Sequence, residues 1–157
     1  EHIGQDLPIY LCGVSMGATT VLMADGLELP PGVHGIIADC GFTSAWDQFE
    51  YIMKKNFHLP AFPILHIARL ICNMTAKFDM KGCNTLEIMS REKYPMLFIH
   101  GAKDDFVPTA MSIANYEKCV SKKKLVLFDE AAHALSWTSD LERYKAVVGE
   151  FLEECES

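Results

Sequence analysis

No apolar run in this 157-residue chain approaches the roughly 18 residues that a bilayer-spanning helix needs, so no membrane span is expected. No signal peptide is read at its start. Positive charge is scarce. Fourteen Lys and Arg stand against 21 Asp and Glu, for a net charge of −7. That argues against a general nucleic-acid binder, which needs a basic face to neutralise phosphates. The one basic cluster, Lys122-Lys123-Lys124, reads as a solvated turn before a strand. The six cysteines include no C-x-x-C pair and no zinc-type spacing. No glycine loop suited to cradling phosphate is found either, so neither metal nor cofactor is expected. All six cysteines read as free thiols, which favours a reducing, cytoplasmic compartment. Cys12 and Cys40, inside apolar runs, read as small hydrophobes. Internal repeats, low-complexity tracts and an initiator Met are also absent, and the chain reads as a piece of a longer protein.

What is present is an ordinary globular composition, 50% hydrophobic and 22% charged. Four short apolar runs read as buried parallel strands: Ile9–Val14, Gly35–Asp39, Met96–His100 and Lys124–Phe128. Helical patterns lie between and after them, from Met16 to about Gly26, from Thr109 to about Cys119, and from Leu141 to Cys155. The last carries Leu141, Tyr144, Val148, Phe151 and Leu152 on one stripe. The alternation predicts an α/β fold with a mostly parallel sheet of about four strands flanked by helices. One domain over 1–157 is expected. Within it, residues 42–94 hold no clear strand but many large apolar residues, broken by Pro60 and Pro63. Two or three short helices fit this interval. It is too long for a connector, and its length suggests a helical lid.

The most informative stretch is "PIYLCGVSMGATTVLMA", Pro8 to Ala24. A strand runs into Gly-Val-Ser-Met-Gly and a helix follows at once. Strand, G-x-S-x-G, helix is the setting of a nucleophilic serine on a strained turn. The tightness of that turn predicts positive φ at Ser15. Gly13 and Gly17 lack a Cβ, so neighbouring backbone is expected to pack against the elbow. The N–H of Met16, at the helix start, points where an oxyanion would form. A serine nucleophile needs a base. His133, just beyond the fourth strand, reaches the same sheet edge as Ser15. His100 ends the third strand and is its rival. Asp104 and Asp105 lie in the loop after that strand. The order Ser, acid, His selects Ser15, one of these two aspartates and His133, because His100 precedes both aspartates. His100 is then expected to be structural. Asp105 is expected to be solvated or to cap the next helix. Asp39, ending the second strand, is expected to cap a turn or to shape the site.

Together these residues resemble the α/β-hydrolase superfamily of serine hydrolases, over nearly the whole chain. "HGAKDDFVP" is similar to its acid loop, H-G-x-x-D-x-x-V-P, and this places the acid on Asp104. "DCGFTSAWDQF", "HLPAFPIL" and "PMLFIHGAKDDFVP" resemble a bacterial subgroup described as esterase-like or serine-peptidase-like. The resemblance implies an ester, thioester or amide carbonyl attacked by Ser15, with His133 moving the proton and Asp104 holding the imidazole.

The resemblance also implies strands that would precede Glu1, because in the superfamily the nucleophile follows the fifth strand and here it follows the first. A second oxyanion donor is expected from that preceding segment, and Met16 is the one donor assigned. Losing one such donor costs on the order of 10²–10³ in rate. The first strand is expected to present a bare edge, which leads to pairing with a second copy or with the missing N-terminal half. The leading functional expectation is a serine hydrolase of a carboxylic ester with an apolar acyl or aryl group. A peptidase of the prolyl-oligopeptidase-like type and a folded but inactive binding module are the alternatives.

Overall fold

The structure is a computed structural model that describes residues 7–91 and 93–156. The ends of the expected 1–157 domain and Glu92 of the expected insertion lie outside the described residues. Four strands form one parallel sheet in the order β1 (Ile9–Val14), β2 (Val33–Asp39), β3 (Met96–Gly101) and β4 (Lys123–Phe128). Every strand read from the sequence is present, and β2 begins two residues earlier than expected.

The sheet is covered on both faces, which explains the near-continuous apolar runs of its central strands. Period-two alternation sorts their side chains. Ile36, Ala38, Met96 and Phe98 face one way and pack with Ala18 and Leu22 of α1 (Met16–Ala24). Ile37, Leu97 and Ile99 face the other way and pack with Val147 and Phe151 of α7 (Leu141–Glu156). Residues of both central strands are almost wholly buried, apart from His34. The edge strand β1 mixes exposed and half-buried residues. Cys12 is therefore exposed, contrary to the expectation of a buried hydrophobe, because an edge strand is packed on one side only. Cys40 is buried as expected.

The long interval between β2 and β3 folds as three helices: α2 (Ala45–Phe57), α3 (Ile64–Ala76) and α4 (Thr85–Met89). Ser44 caps α2 by accepting from the Asp47 N–H, and Asn84 caps α4 by accepting from the Leu86 N–H. The same two residues form an antiparallel bridge. Beside it the Thr85 N–H donates to the Thr43 carbonyl at 2.9 Å. The insertion is thus pinched at its base. It has a small core of its own, Trp46, Leu65 and Met80. After β3 come α5 (Thr109–Lys118), and after β4 the short α6 (Ser136–Ser139), which no sequence pattern announced. Among the described residues no helix is long and apolar enough to cross a membrane.

Candidate functional site

Parallel strands bring their carboxyl ends to one edge of a sheet, and the loops that follow share that edge. The register aligns Val14 with Asp39 and Asp39 with Ile99. Ser15, Cys40 and His100 are therefore the next residues along three adjacent strands.

Ser15 sits between β1 and α1 with φ 55°, as the elbow predicts. Such a backbone is costly for a side-chain-bearing residue and is held by its surroundings. The Ser15 N–H donates to the Asp39 carbonyl at 2.8 Å, and the Ser15 carbonyl accepts from the Thr19 N–H at 3.1 Å. A Cβ on Gly13 would lie 2.2 Å from the Gly17 carbonyl oxygen and 2.6 Å from the Ala18 nitrogen. Glycine is required there for the helix to start so close to the strand. Gly17 differs from expectation, because a Cβ at that position would meet nothing within 4 Å. The Met16 N–H belongs to the first turn of α1, whose donors have no intrahelical acceptor.

His133 reaches Ser15 and Asp104 together. Ser15 Oγ and His133 Nε2 are 2.9 Å apart, and His133 Nδ1 is 2.7 Å from Asp104 Oδ2. A carboxylate only accepts, so Nδ1 carries the proton and Nε2 is free to accept from the serine hydroxyl. The next residue, Ala134, has φ 57°, and the Phe106 ring stands 5.0 Å from the imidazole.

Asp104 is held by four donors. The N–H groups of Phe106 and Val107 donate to Oδ1 at 2.9 and 2.8 Å. His133 and His100 both approach Oδ2, His100 through Nε2 at 3.2 Å. Burial pushes the Asp104 carboxyl up, but hydrogen bonds from His100, His133, Val107 and Phe106 outweigh it and bring it down to about 2.

His100 is wholly buried. Its Nε2 meets two acceptors, Asp104 Oδ2 and the Val107 carbonyl at 3.0 Å, so that nitrogen is protonated. Its Nδ1 is 2.7 Å from Ser112 Oγ. The structural role expected of His100 is thus a specific one, since it braces the acid. A Cβ on the following Gly101 would lie 2.3 Å from the Ala131 carbonyl oxygen. That close approach brings the loop carrying His133 against the loop carrying Asp104.

Asp105 points to solvent and pairs with Lys55 at 3.9 Å. It does not cap α5, which starts without a side-chain cap. Asp39 does not cap a turn either. Its Oδ1 accepts from Ser136 Oγ at 3.2 Å, which ties the end of β2 to the start of α6. Its Oδ2 meets no donor at hydrogen-bonding geometry. Burial raises its carboxyl, against lowering by Ser136, Tyr144, His100 and His133. Sequence reasoning missed Ser136 and Ser112, single small polar residues with no pattern around them.

Among the described residues, one group of three metal-capable side chains exists: Cys40, Asp104 and His133, whose ligand atoms lie within 4.8 Å of one another. Two of the three already bond each other, and burial with the nearby Asp39 carboxylate pushes the Cys40 thiol up to about 12. The arrangement as it stands is suited to proton movement between a hydroxyl and an imidazole.

No known family profile matches the chain. The uncharacterized protein YqkD of Bacillus subtilis strain 168 is 32% identical over 145 residues, covering 92% of this chain and 48% of that protein. The chain thus spans about half the length of this curated relative. Among solved structures, the esterase Pf2001 of Pyrococcus furiosus superposes with a TM-score of 0.70 at 22% identity, over 96% of this chain and 54% of that one. The acylaminoacyl peptidase of Pyrococcus horikoshii superposes with a TM-score of 0.66 at 17% identity, over 92% of this chain and 23% of that one. An α/β fold family hydrolase from Bacillus anthracis superposes with a TM-score of 0.68 at 12% identity, over 92% of this chain and 67% of that one. With the parallel sheet, the serine elbow and the order of the loops, these likenesses show that the chain has the α/β-hydrolase fold.

Proposed function

We propose that this chain carries the nucleophile, base and acid of a serine hydrolase that cleaves a carboxylic ester. The observation that carries the reading is the hydrogen-bonded line from Ser15 through His133 to Asp104, set on a serine with φ 55°. In this mechanism Ser15 Oγ attacks the ester carbonyl carbon while His133 Nε2 takes the hydroxyl proton. The carbonyl oxygen becomes an oxyanion, and the Met16 N–H donates to it. His133 then gives its proton to the leaving alkoxide oxygen, and the bond between carbonyl carbon and that oxygen breaks. The acyl group stays on Ser15. Water adds to the acyl carbon, His133 takes a proton from it, and the collapse of the second tetrahedral intermediate returns that proton to Ser15 and releases the carboxylic acid. Asp104, held ionised by its four donors, keeps the imidazole in the required tautomer throughout.

The insertion is read as a lid. Its pinched base, its separate small core and the Gln48 side chain donating to the Phe106 carbonyl at 2.7 Å support that role. The chain spans about half the length of YqkD, and the activity is proposed for the whole protein. The remainder is read as covering the β1 edge, or else a second copy does so.

The test is turnover of p-nitrophenyl acetate beside a peptide anilide. Ester hydrolysis that falls at least 10³-fold in Ser15→Ala and His133→Ala is expected. Turnover of the anilide at a comparable rate would move the assignment to a peptidase. Unchanged hydrolysis in Ser15→Ala would refute the mechanism.

A further inference from the structure

Two larger cavities differ in what they offer. One, of about 550 Å³, lies at the end of α2 among Glu50, Lys54 and His58, and shares no residue with the serine elbow. The other, of about 310 Å³, starts at the elbow. It runs along α1 from Met16 to Met23, with Phe42 and Ala45 on the facing side and Phe78 of the insertion closing it. None of its lining side chains is charged.

Two threonines line it, and both donate their hydroxyl protons to backbone carbonyls. Thr19 Oγ1 donates to the Phe42 carbonyl at 3.2 Å and accepts from the Phe42 N–H at 2.9 Å. Thr20 Oγ1 donates to the Met16 carbonyl at 2.8 Å. With both hydroxyl protons engaged by backbone, the remaining polar group of the lining is the weakly polar thiol of Cys83, and the cavity favours an apolar ligand. Its volume is at the low end for ligand sites, roughly 300–1,000 Å³. That suits one chain rather than two.

The position decides which part of an ester enters. The leaving oxygen must lie against His133 Nε2 to receive its proton. No lining residue comes from the loop bearing His133 or from the loop bearing Asp104. Met16, by contrast, follows the nucleophile directly and is the residue whose N–H faces the oxyanion. The cavity therefore adjoins the carbonyl on the side away from the base.

We propose that this cavity is the acyl-chain site, and that the preferred substrate is an ester of a single, linear, apolar acyl chain of medium length. The inference rests on the serine-hydrolase reading and adds to it the class of acyl group and the residues that select it. Ala45 and Thr20 set the chain length, one from each wall. Phe78 makes the site dependent on the insertion, so lid position and acyl preference are linked.

The test compares kcat/KM for p-nitrophenyl octanoate and acetate in the wild type, Ala45→Trp and Thr20→Trp, with folding of each variant checked by circular dichroism. Binding of sodium decanoate is measured by calorimetry alongside. Each methylene buried is worth about fourfold, so burial of only about three of the six that octanoate adds already gives the expected preference of at least thirtyfold. That ratio is expected to fall at least tenfold in either folded variant, with weaker decanoate binding. Both esters turned over with a ratio near one, or a ratio that does not move in folded variants, would overturn the acyl site and leave the hydrolase standing. Decanoate bound, and bound less well by the variants, with neither ester turned over, would keep the cavity as an apolar-chain site and overturn the hydrolytic reading. Neither binding nor turnover would remove both.

Discussion

His100 and Asp104 show how one side chain sets the state of another. Both side chains are wholly shielded from solvent, 3.2 Å apart. Asp104 keeps its charge because four donors oppose the cost of burial. An unfolded Asp titrates near ~3.9. The folded value of about 2 therefore contributes stability that is present above pH ~4 and is lost as pH falls through about 2. His100→Leu removes one donor to the charged group, which costs roughly 1.5–3 kcal/mol at pH 7. It also raises the folded carboxyl, so less stability is lost on acidification from pH 5 to pH 2. His100→Gln keeps an N–H toward Asp104 and is expected to recover part of both the stability and kcat. Denaturant titrations at several pH values, with kcat measured in parallel, check this. An acid dependence identical in wild type and His100→Leu would mean that His100 only fills space.

The elbow as an element makes a sharper demand than its motif suggests. Both glycines of G-x-S-x-G look equivalent in the sequence, but only Gly13 is under backbone. Gly13→Ala drives a Cβ into the first turn of α1 and is expected to cost about 1–3 kcal/mol and displace Ser15. Gly17→Ala adds a better helix former into open space and is expected to gain about 0.5–1 kcal/mol. Thermal unfolding of the two variants checks the contrast. A loss of stability in Gly17→Ala would show that the elbow is packed on both sides.

The four strands were legible because buried parallel strands leave apolar runs bounded by turn residues. That the side chains of Ser15, Asp104 and His133 would meet was legible because motif spacing and chain order jointly constrain them. The bracing bonds from Ser112 to His100 and from Ser136 to Asp39 were not, since they join residues 12 and 97 positions apart through single side chains. The four-residue α6 was too short to show a period. The exposure of Cys12 depends on which strand is at the edge, and composition does not reveal that.

At the scale of the whole molecule, the sheet has two edges among the described residues, β1 and β4. Central strands β2 and β3 are paired on both sides, while β1 pairs only with β2 among the described residues. Ile9, Cys12 and Val14 are exposed along it. An apolar strand edge of this kind recruits another strand. Sedimentation velocity of the chain is expected to give a dimer or larger species. A monomer that stays monomeric at high concentration would contradict the edge argument.

The central claim is that Ser15 is an activated nucleophile. Its most direct test is reaction of the folded chain with a fluorophosphonate, with the adduct located by mass spectrometry of the intact protein and its peptides. One adduct on Ser15, absent from Ser15→Ala and much slower to form in His133→Ala, is the result predicted. A folded chain that gains no adduct, or gains it on another residue, would contradict the account.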